Sequence, residues 1–166
     1  SIMLEDQVAP KRCGHTEGKA VVGREEGLMR IRAAVDARDA GEDILIMART
    51  DARVEGLDEA IARCRLFREI GADITFLEAP LDENEMRRYC SEVDGPKMAN
   101  LIEGGKTPIL PLPQLEAIGY KIAVFPLTLL NVSIHAMRDA LRSLKAGKRP
   151  PTVMDFEQLK QAEGFP

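Results

Sequence analysis

The feature that most constrains the fold is a recurrence. Apolar runs cover residues 44–48, 73–77, 97–99 and 122–125, with starts near residues 44, 73, 97 and 121, so 24 to 29 residues separate them. Between them lie segments of helical spacing at 57–70, 82–93 and, more briefly, 112–118. Another, 25–40, precedes the series: Leu28, Ile31 and Val35 recur at helical intervals, and Gly41 ends it. Short apolar strands alternating with helices imply βαβ units, whose strands run parallel and are buried on both faces. Residues 1–5 read as the end of one more strand. Five strands in an α/β chain leave two architectures. One is an arc of a TIM-type (α/β)8 barrel, which needs three further strands upstream. The other is a doubly wound open sheet, which usually carries a glycine-rich phosphate turn early. No such turn is present. Gly104-Gly105-Lys106-Thr107 looks like the end of a Walker loop, but it lacks the upstream glycine, and Pro108 would interrupt the helix that must follow.

The 166 residues suit one domain, 1–166. The chain starts directly before an apolar run, so the expectation is a C-terminal portion of a barrel with its first strands absent. Near residue 127 a last long helix begins. Leu130, Ile134, Met137, Leu141 and Leu144 step by four, three, four and three, a stripe that could seat on the barrel or on a second subunit. Gly147 stops it, Pro150-Pro151 forms a stiff link, and residues 155–162 read as a terminal helix.

Composition narrows the function classes. Acidic residues exceed basic ones, 27 to 23. No basic run carries interleaved aromatics, which argues against nucleic acid. No apolar stretch reaches membrane-spanning length, and no targeting segment is visible. Three cysteines cannot form a disulfide framework. Cys64 shares a helical stripe with Leu57, Ile61 and Phe67, and Cys90 shares another with Met86 and Val93, so both read as small buried hydrophobes. The expected setting is a reducing one, the cytoplasm.

Chemistry concentrates in one stretch, Glu5-Asp6-Gln7-Val8-Ala9-Pro10-Lys11-Arg12-Cys13-Gly14-His15. It hangs on a strand end, where α/β folds place active sites. The loop it opens, residues 6–23, is long enough to be a lid or binding loop. The other strand ends supply Arg49, Asp51, Glu78 and Asn100. Parallel strands point one way, so these residues share one rim with Glu5 and the loop. Arg49 suits bidentate capture of a carboxylate. Glu5 suits a divalent cation, directly or through water. Lys11, Arg12 and His15 would favour the thiolate of Cys13 and tune it as an acid/base. Gly14 would let the backbone approach a ligand. Glu78 could hold a base or water, and Asn100 could donate to an oxyanion. His135 reads as an ordinary helix residue.

These residues resemble the isocitrate lyase / phosphoenolpyruvate mutase superfamily. The resemblance rests on the Glu5–Gln7 and Pro10–His15 motifs, Ala48-Arg49-Thr50-Asp51-Ala52, Gly71-Ala72-Asp73 with Glu78-Ala79, Met98-Ala99-Asn100 with Glu103-Gly104-Gly105-Lys106-Thr107-Pro108, and Gly119-Tyr120-Lys121 with Phe125-Pro126-Leu127. It looks closest to the branch of 2-methylisocitrate lyase, dimethylmalate lyase, petal death protein and carboxyvinyl-carboxyphosphonate phosphorylmutase. The resemblance implies an (α/β)8 barrel whose last helix is exchanged between subunits, usually in tetramers, with Mg2+ (or Mn2+) at the site. It implies a mobile gate from Lys11 to His15 with Cys13 as catalytic acid/base, substrate contacts from Cys13, Gly14, Arg49, Glu78 and Asn100, and support of the metal by Glu5. It also implies an upstream Asp-x-Asp metal pair that this chain lacks. The expected activity is cleavage of a carbon–carbon bond in a 2-hydroxy di- or tricarboxylate. A phosphonomutase is the alternative, and an inactive fragment without metal ligands the third reading.

Overall fold

The computed structural model describes residues 1–15 and 18–165. It divides into two units, residues 1–126 and 127–166.

In the first unit five parallel strands follow in chain order: β1 (Ile2–Glu5), β2 (Ile46–Thr50), β3 (Ile74–Leu77), β4 (Met98–Asn100) and β5 (Ile122–Val124). β1–β2–β3 form one ladder and β4–β5 another. A single parallel bridge, Thr75 to Lys97, links β3 to the start of β4. The connecting helices are α1 (Arg24–Asp39), α2 (Leu57–Glu69), α3 (Glu83–Glu92) and α4 (Leu112–Ile118). The α/β alternation and the parallel strands expected from the sequence are therefore present.

Strand parity sorts the side chains. Leu4, Ile46, Ala48 and their neighbours face α1 and α2, where Ile31, Val35 and Phe67 complete a core cluster. Leu77, Ala99 and Leu101 face α2, α3 and α4 and pack with Ile61, Met86, Tyr89 and Leu115. Met47, Ile74, Phe76 and Met98 form a third cluster with Ile122 and Val124. Cys64 lies in the second of these clusters, fully buried, and burial pushes its thiol well up. Cys90 is half-buried, and burial likewise raises it to about 11.

One boundary differs in a way that matters. The run at 44–48 predicted a strand ending before Arg49, but Arg49 and Thr50 are the last two residues of β2. An arginine can extend a buried strand here because carboxylates meet its charge from both sides. Leu45, predicted inside the strand, is half exposed and precedes it.

Residues 6–22 leave β1 and return through a short antiparallel stem. Gln7 bridges Val21, Val8 N–H donates to Ala20 O at 2.9 Å, and Val22 N–H donates to Asp6 O at 2.8 Å. Residues 16 and 17 of this loop lie outside the described residues. A buried clamp anchors the stem. Asp6 accepts from Thr50 Oγ1 at 2.6 Å, from Asp51 N–H at 2.9 Å and from Arg63 Nη1 at 3.2 Å. Arg63 Nη1 also donates to Val22 O at 2.8 Å, so one guanidinium on α2 grips both ends of the loop.

The second unit holds α5 (Thr128–Lys145) and α6 (Phe156–Glu163). Gly147 and the Pro150-Pro151 link separate them, as the sequence implies. Asp155 caps α6 in a reciprocal box with Gln158. No residue of α5 is buried, and Leu130, Ile134, Met137, Leu141 and Leu144 are all exposed. Among the described residues no helix is long and apolar enough to cross a membrane.

Breaking one side of a buried ion pair leaves an uncompensated charge, which costs about 3–5 kcal/mol. Arg63→Met in the full-length protein should lose that much stability in urea unfolding. Combining it with Asp6→Asn, which removes the stranded charge but keeps an acceptor for the Asp51 N–H, should recover part of the loss. A loss under about 1 kcal/mol in the single variant would show that the clamp does not hold the loop stem.

Candidate active site

Period-2 alternation places the strand-end residues on one face. In register, Glu5 lies beside Arg49 and Arg49 beside Phe76, and Met98 pairs with Ile122. Met3, Met47, Phe76 and Met98 make an apolar layer. Glu5, Arg49, Glu78 and Asn100, two residues further along their strands, make the polar layer above it. The Arg49 guanidinium stacks over the Phe76 ring, 5.0 Å from its centroid, so the apolar layer supports the charged one.

Arg49 is the hub. Its Nε donates to Asp51 Oδ2 at 2.8 Å and its Nη2 to Asp51 Oδ1 at 3.1 Å. Nη2 also meets Glu78 Oε2 at 3.0 Å. Glu5 Oε2 lies 3.3 Å from Nε but makes no hydrogen bond, because the single Nε proton is directed to Asp51. Glu5 Oε1 pairs with Lys11 at 2.8 Å. Burial works against both charges of the Arg49–Asp51 pair. It pulls Arg49 down, yet the Asp51 bonds and the charges of Glu78, Asp51 and Glu5 outweigh it and hold the guanidinium above its usual range. Burial likewise pushes Asp51 up, and the Arg49 bonds with the nearby Lys19 charge hold its carboxyl below the usual range.

Glu78, fully buried, collects donors. Besides Arg49, Asn100 Nδ2 approaches its two oxygens at 3.3 and 3.4 Å, and His15 Nε2 stands 2.8 Å from Oε1. The loop tip lies directly against this cluster. A Cβ on Gly14 would fall 2.2 Å from Glu78 Cγ and 2.8 Å from Arg49 Nη2, so only glycine fits there. Gln7 and Lys19 help to hold the tip. Gln7 closes it by donating to Arg12 O at 2.8 Å and accepting from Arg12 N–H at 2.9 Å. Lys19 Nζ donates to Gly14 O and reaches Asp51 Oδ1 at 3.3 Å.

The structure thus brings together Glu5, Gly14, His15, Arg49, Asp51, Glu78 and Asn100, with Lys11 joined through Glu5. Cys13 precedes Gly14 and is exposed. His135 is an exposed residue of α5 beside Asp139. Sequence reasoning missed Lys19 and Arg63, and it quoted Asp6 and residues 103–106 only as parts of motifs, without their contacts. Lys19 is one lysine in a glycine-rich loop, and no spacing marks it.

The resemblance implies Mg2+ or Mn2+ with Glu5 in support. Among the described residues no group of three or more His, Cys, Asp and Glu could hold a metal ion. Glu5 has one oxygen on Lys11 and the other, buried, facing Arg49. One carboxylate between two cations does not fit a divalent-cation site.

Three comparisons bear on this geometry. A family described as Phosphoenolpyruvate phosphomutase matches residues 1–145. A 2-methylisocitrate lyase of Aeropyrum pernix is 43% identical over 156 residues, 93% of this chain and 50% of its own length. A crystal structure of 2,3-dimethylmalate lyase, a PEP mutase/isocitrate lyase superfamily member, matches with TM-score 0.88 at 37% identity, over 98% of this chain and 56% of that one. Oxaloacetate acetylhydrolase in complex with the inhibitor 3,3-difluorooxalacetate matches with TM-score 0.86 at 33% identity, over 98% and 58%. The chain spans about half the length of the curated relatives it matches.

Proposed function

The chain belongs to the phosphoenolpyruvate phosphomutase family, within the PEP mutase/isocitrate lyase superfamily, and from that premise we propose that the protein is a carbon–carbon lyase. Its substrate is a 2-hydroxy di- or tricarboxylate, cleaved to a 2-oxo acid and a carboxylate, or oxaloacetate that has first taken up one water at C2 as the 2,2-diol, cleaved to oxalate and acetate. One observation carries this reading. Arg49, Asn100 and His15 converge on a buried carboxylate, Glu78, with the Gly14 backbone pressed against the group. Arg49 and Asn100, which hold the Glu78 carboxylate, can hold a substrate carboxylate, and His15 Nε2 beside it is free of a protein hydrogen bond. Named relatives act on, or bind, small acids of that kind.

In a 2-hydroxy acid the reaction begins when the hydroxyl loses its proton. Glu78, at the centre of the donor cluster, is the carboxylate of this chain placed to take that proton or to orient the base that does. The C2–C3 bond then breaks. The oxygen becomes the carbonyl of the 2-oxo acid, and the electron pair leaves as the enolate of the departing carboxylate. Arg49 and Asn100 hold the oxygens on which charge develops. The Cys13 thiol gives its proton to the departing carbon, with Lys11 and His15 on the same gate. Closure of the Lys11–His15 gate over the substrate excludes water. The superfamily resemblance assigns a divalent cation to this chemistry. The described residues do not complete its site, and no step above passes through it. We place the five strands as part of an (α/β)8 barrel whose remaining strands would supply the rest of the pocket.

The phosphomutase description of the family favours a second reading, phosphonomutase chemistry. Turnover of 2-methylisocitrate, 2,3-dimethylmalate, oxaloacetate and phosphonopyruvate by the full-length protein separates the two. The lyase reading expects cleavage of a hydroxy acid or oxaloacetate, and kcat lower by about 10²–10⁴-fold in Cys13→Ser with KM little changed. Rearrangement of phosphonopyruvate alone, or full activity in Cys13→Ser, would overturn it.

We further propose that the exposed α5 stripe seats on a second copy of the chain, since an a/d seam of five apolar residues suits a facing helix surface. Light scattering of the full-length protein should show an oligomer that Leu141→Asp dissociates. An assembly unchanged by that substitution would contradict the seat.

A further inference from the structure

Gly104-Gly105-Lys106-Thr107 does not complete a phosphate loop, and it has no part in the proposed chemistry. The structure gives it one. The Lys106 peptide N–H donates to His15 Nδ1 at 3.0 Å, joining residues 91 apart. A peptide N–H has only a proton to offer, so Nδ1 must present its lone pair. That leaves the ring neutral with its proton on Nε2, because a doubly protonated ring would set N–H against N–H.

The turn is shaped for this contact. Gly105 N–H donates to Ile102 O at 2.9 Å, which brings residues 105 and 106 against the ring. A Cβ on Gly105 would fall 2.8 Å from His15 Nδ1 and 3.1 Å from Cε1. Unlike Gly104, whose φ is +73°, Gly105 does not need a left-handed backbone, so its missing side chain serves space alone.

At the other end of the ring, Nε2 is buried and without a hydrogen-bond partner. It stands 2.8 Å from Glu78 Oε1, but out of line for a bond, and the side chain is only 9% exposed. Leaving a buried donor unsatisfied carries the full cost of its lost hydration. An acceptor entering beside Glu78 would relieve that cost.

We infer that the 102–106 turn is a seat for the gate, positioning His15 as a neutral imidazole that donates from Nε2 to an oxygen of the bound carboxylate. The substrate oxygen rests on the lyase reading; the seat and the tautomer do not. Gly105 and the Lys106 peptide are positioning groups, acting through His15.

Nitrogen-15 spectra of the full-length protein labelled at histidine read the two ring nitrogens directly, with the His15 signals assigned by their loss in His15→Asn. The neutral ring is expected to carry its proton on Nε2. Lys106→Ala keeps the peptide N–H and should keep that tautomer, whereas Lys106→Pro removes the donor and should lose it. Gly105→Ala, whose Cβ would also fall 3.0 Å from Ile102 O, should mix the tautomers and lower kcat by about 100-fold, the scale of an ångström of misplacement. A neutral His15 protonated on Nδ1 in the parent protein would overturn the seat, as would the same tautomer in Lys106→Ala and Lys106→Pro. A parent protein with the Nε2 tautomer but no lyase activity would leave the seat standing and defeat the function proposed above. An active parent whose Gly105→Ala variant shifts tautomer without loss of kcat would overturn the donor role.

Discussion

Arg49 lies in a buried strand with Glu5, Asp51 and Glu78 all within 3.3 Å of its guanidinium. An ion buried to that degree persists only when its charge is met and its donors are engaged. Much of the local architecture follows from that demand. The register of β1 against β2 puts Glu5 beside Arg49, and the strand-to-turn junction after β2 returns Asp51 to it. Glu78, just beyond β3, reaches it from the far side. Phe76 beneath the guanidinium gives it an apolar floor. The site is therefore preorganised by the sheet and needs no loop to assemble its charge pattern.

The gate adds what the sheet lacks. It is rooted by the Asp6–Arg63 clamp, closed on itself through Gln7, tied by Lys19 and seated through His15 on the 102–106 turn. Each tie uses a different partner, three of them from elements outside the loop. A loop held this way can present Gly14 to within contact of Glu78 and Arg49, where a side chain would collide.

Much of this was legible in the sequence because it depends on period. Apolar runs and helical stripes carry the order of elements, and the shared direction of parallel strands puts Glu5, Arg49, Glu78 and Asn100 on one rim. The end of β2 was misplaced because a charged residue normally ends an apolar run, and only the tertiary supply of carboxylates lets Arg49 continue one. The clamp and the seat were not legible at all. Asp6 and Arg63 are 57 residues apart, and His15 and Lys106 are 91 apart, with no spacing rule to join them. The seat also uses a backbone donor, which no side-chain pattern can reveal. Cys13 stood out among its cationic neighbours, and the acid/base role proposed for it rests on those neighbours and on the family resemblance.

The central claim is that the donors gathered on Glu78 are a carboxylate-binding site roofed by the gate. A crystal structure of the full-length protein with 3,3-difluorooxalacetate tests it most directly. The account predicts a ligand carboxylate within hydrogen-bond distance of the Arg49 guanidinium and Asn100 Nδ2, beneath Gly14. A ligand bound elsewhere, with Arg49 and Asn100 still directed only to the protein's own carboxylates, would contradict it.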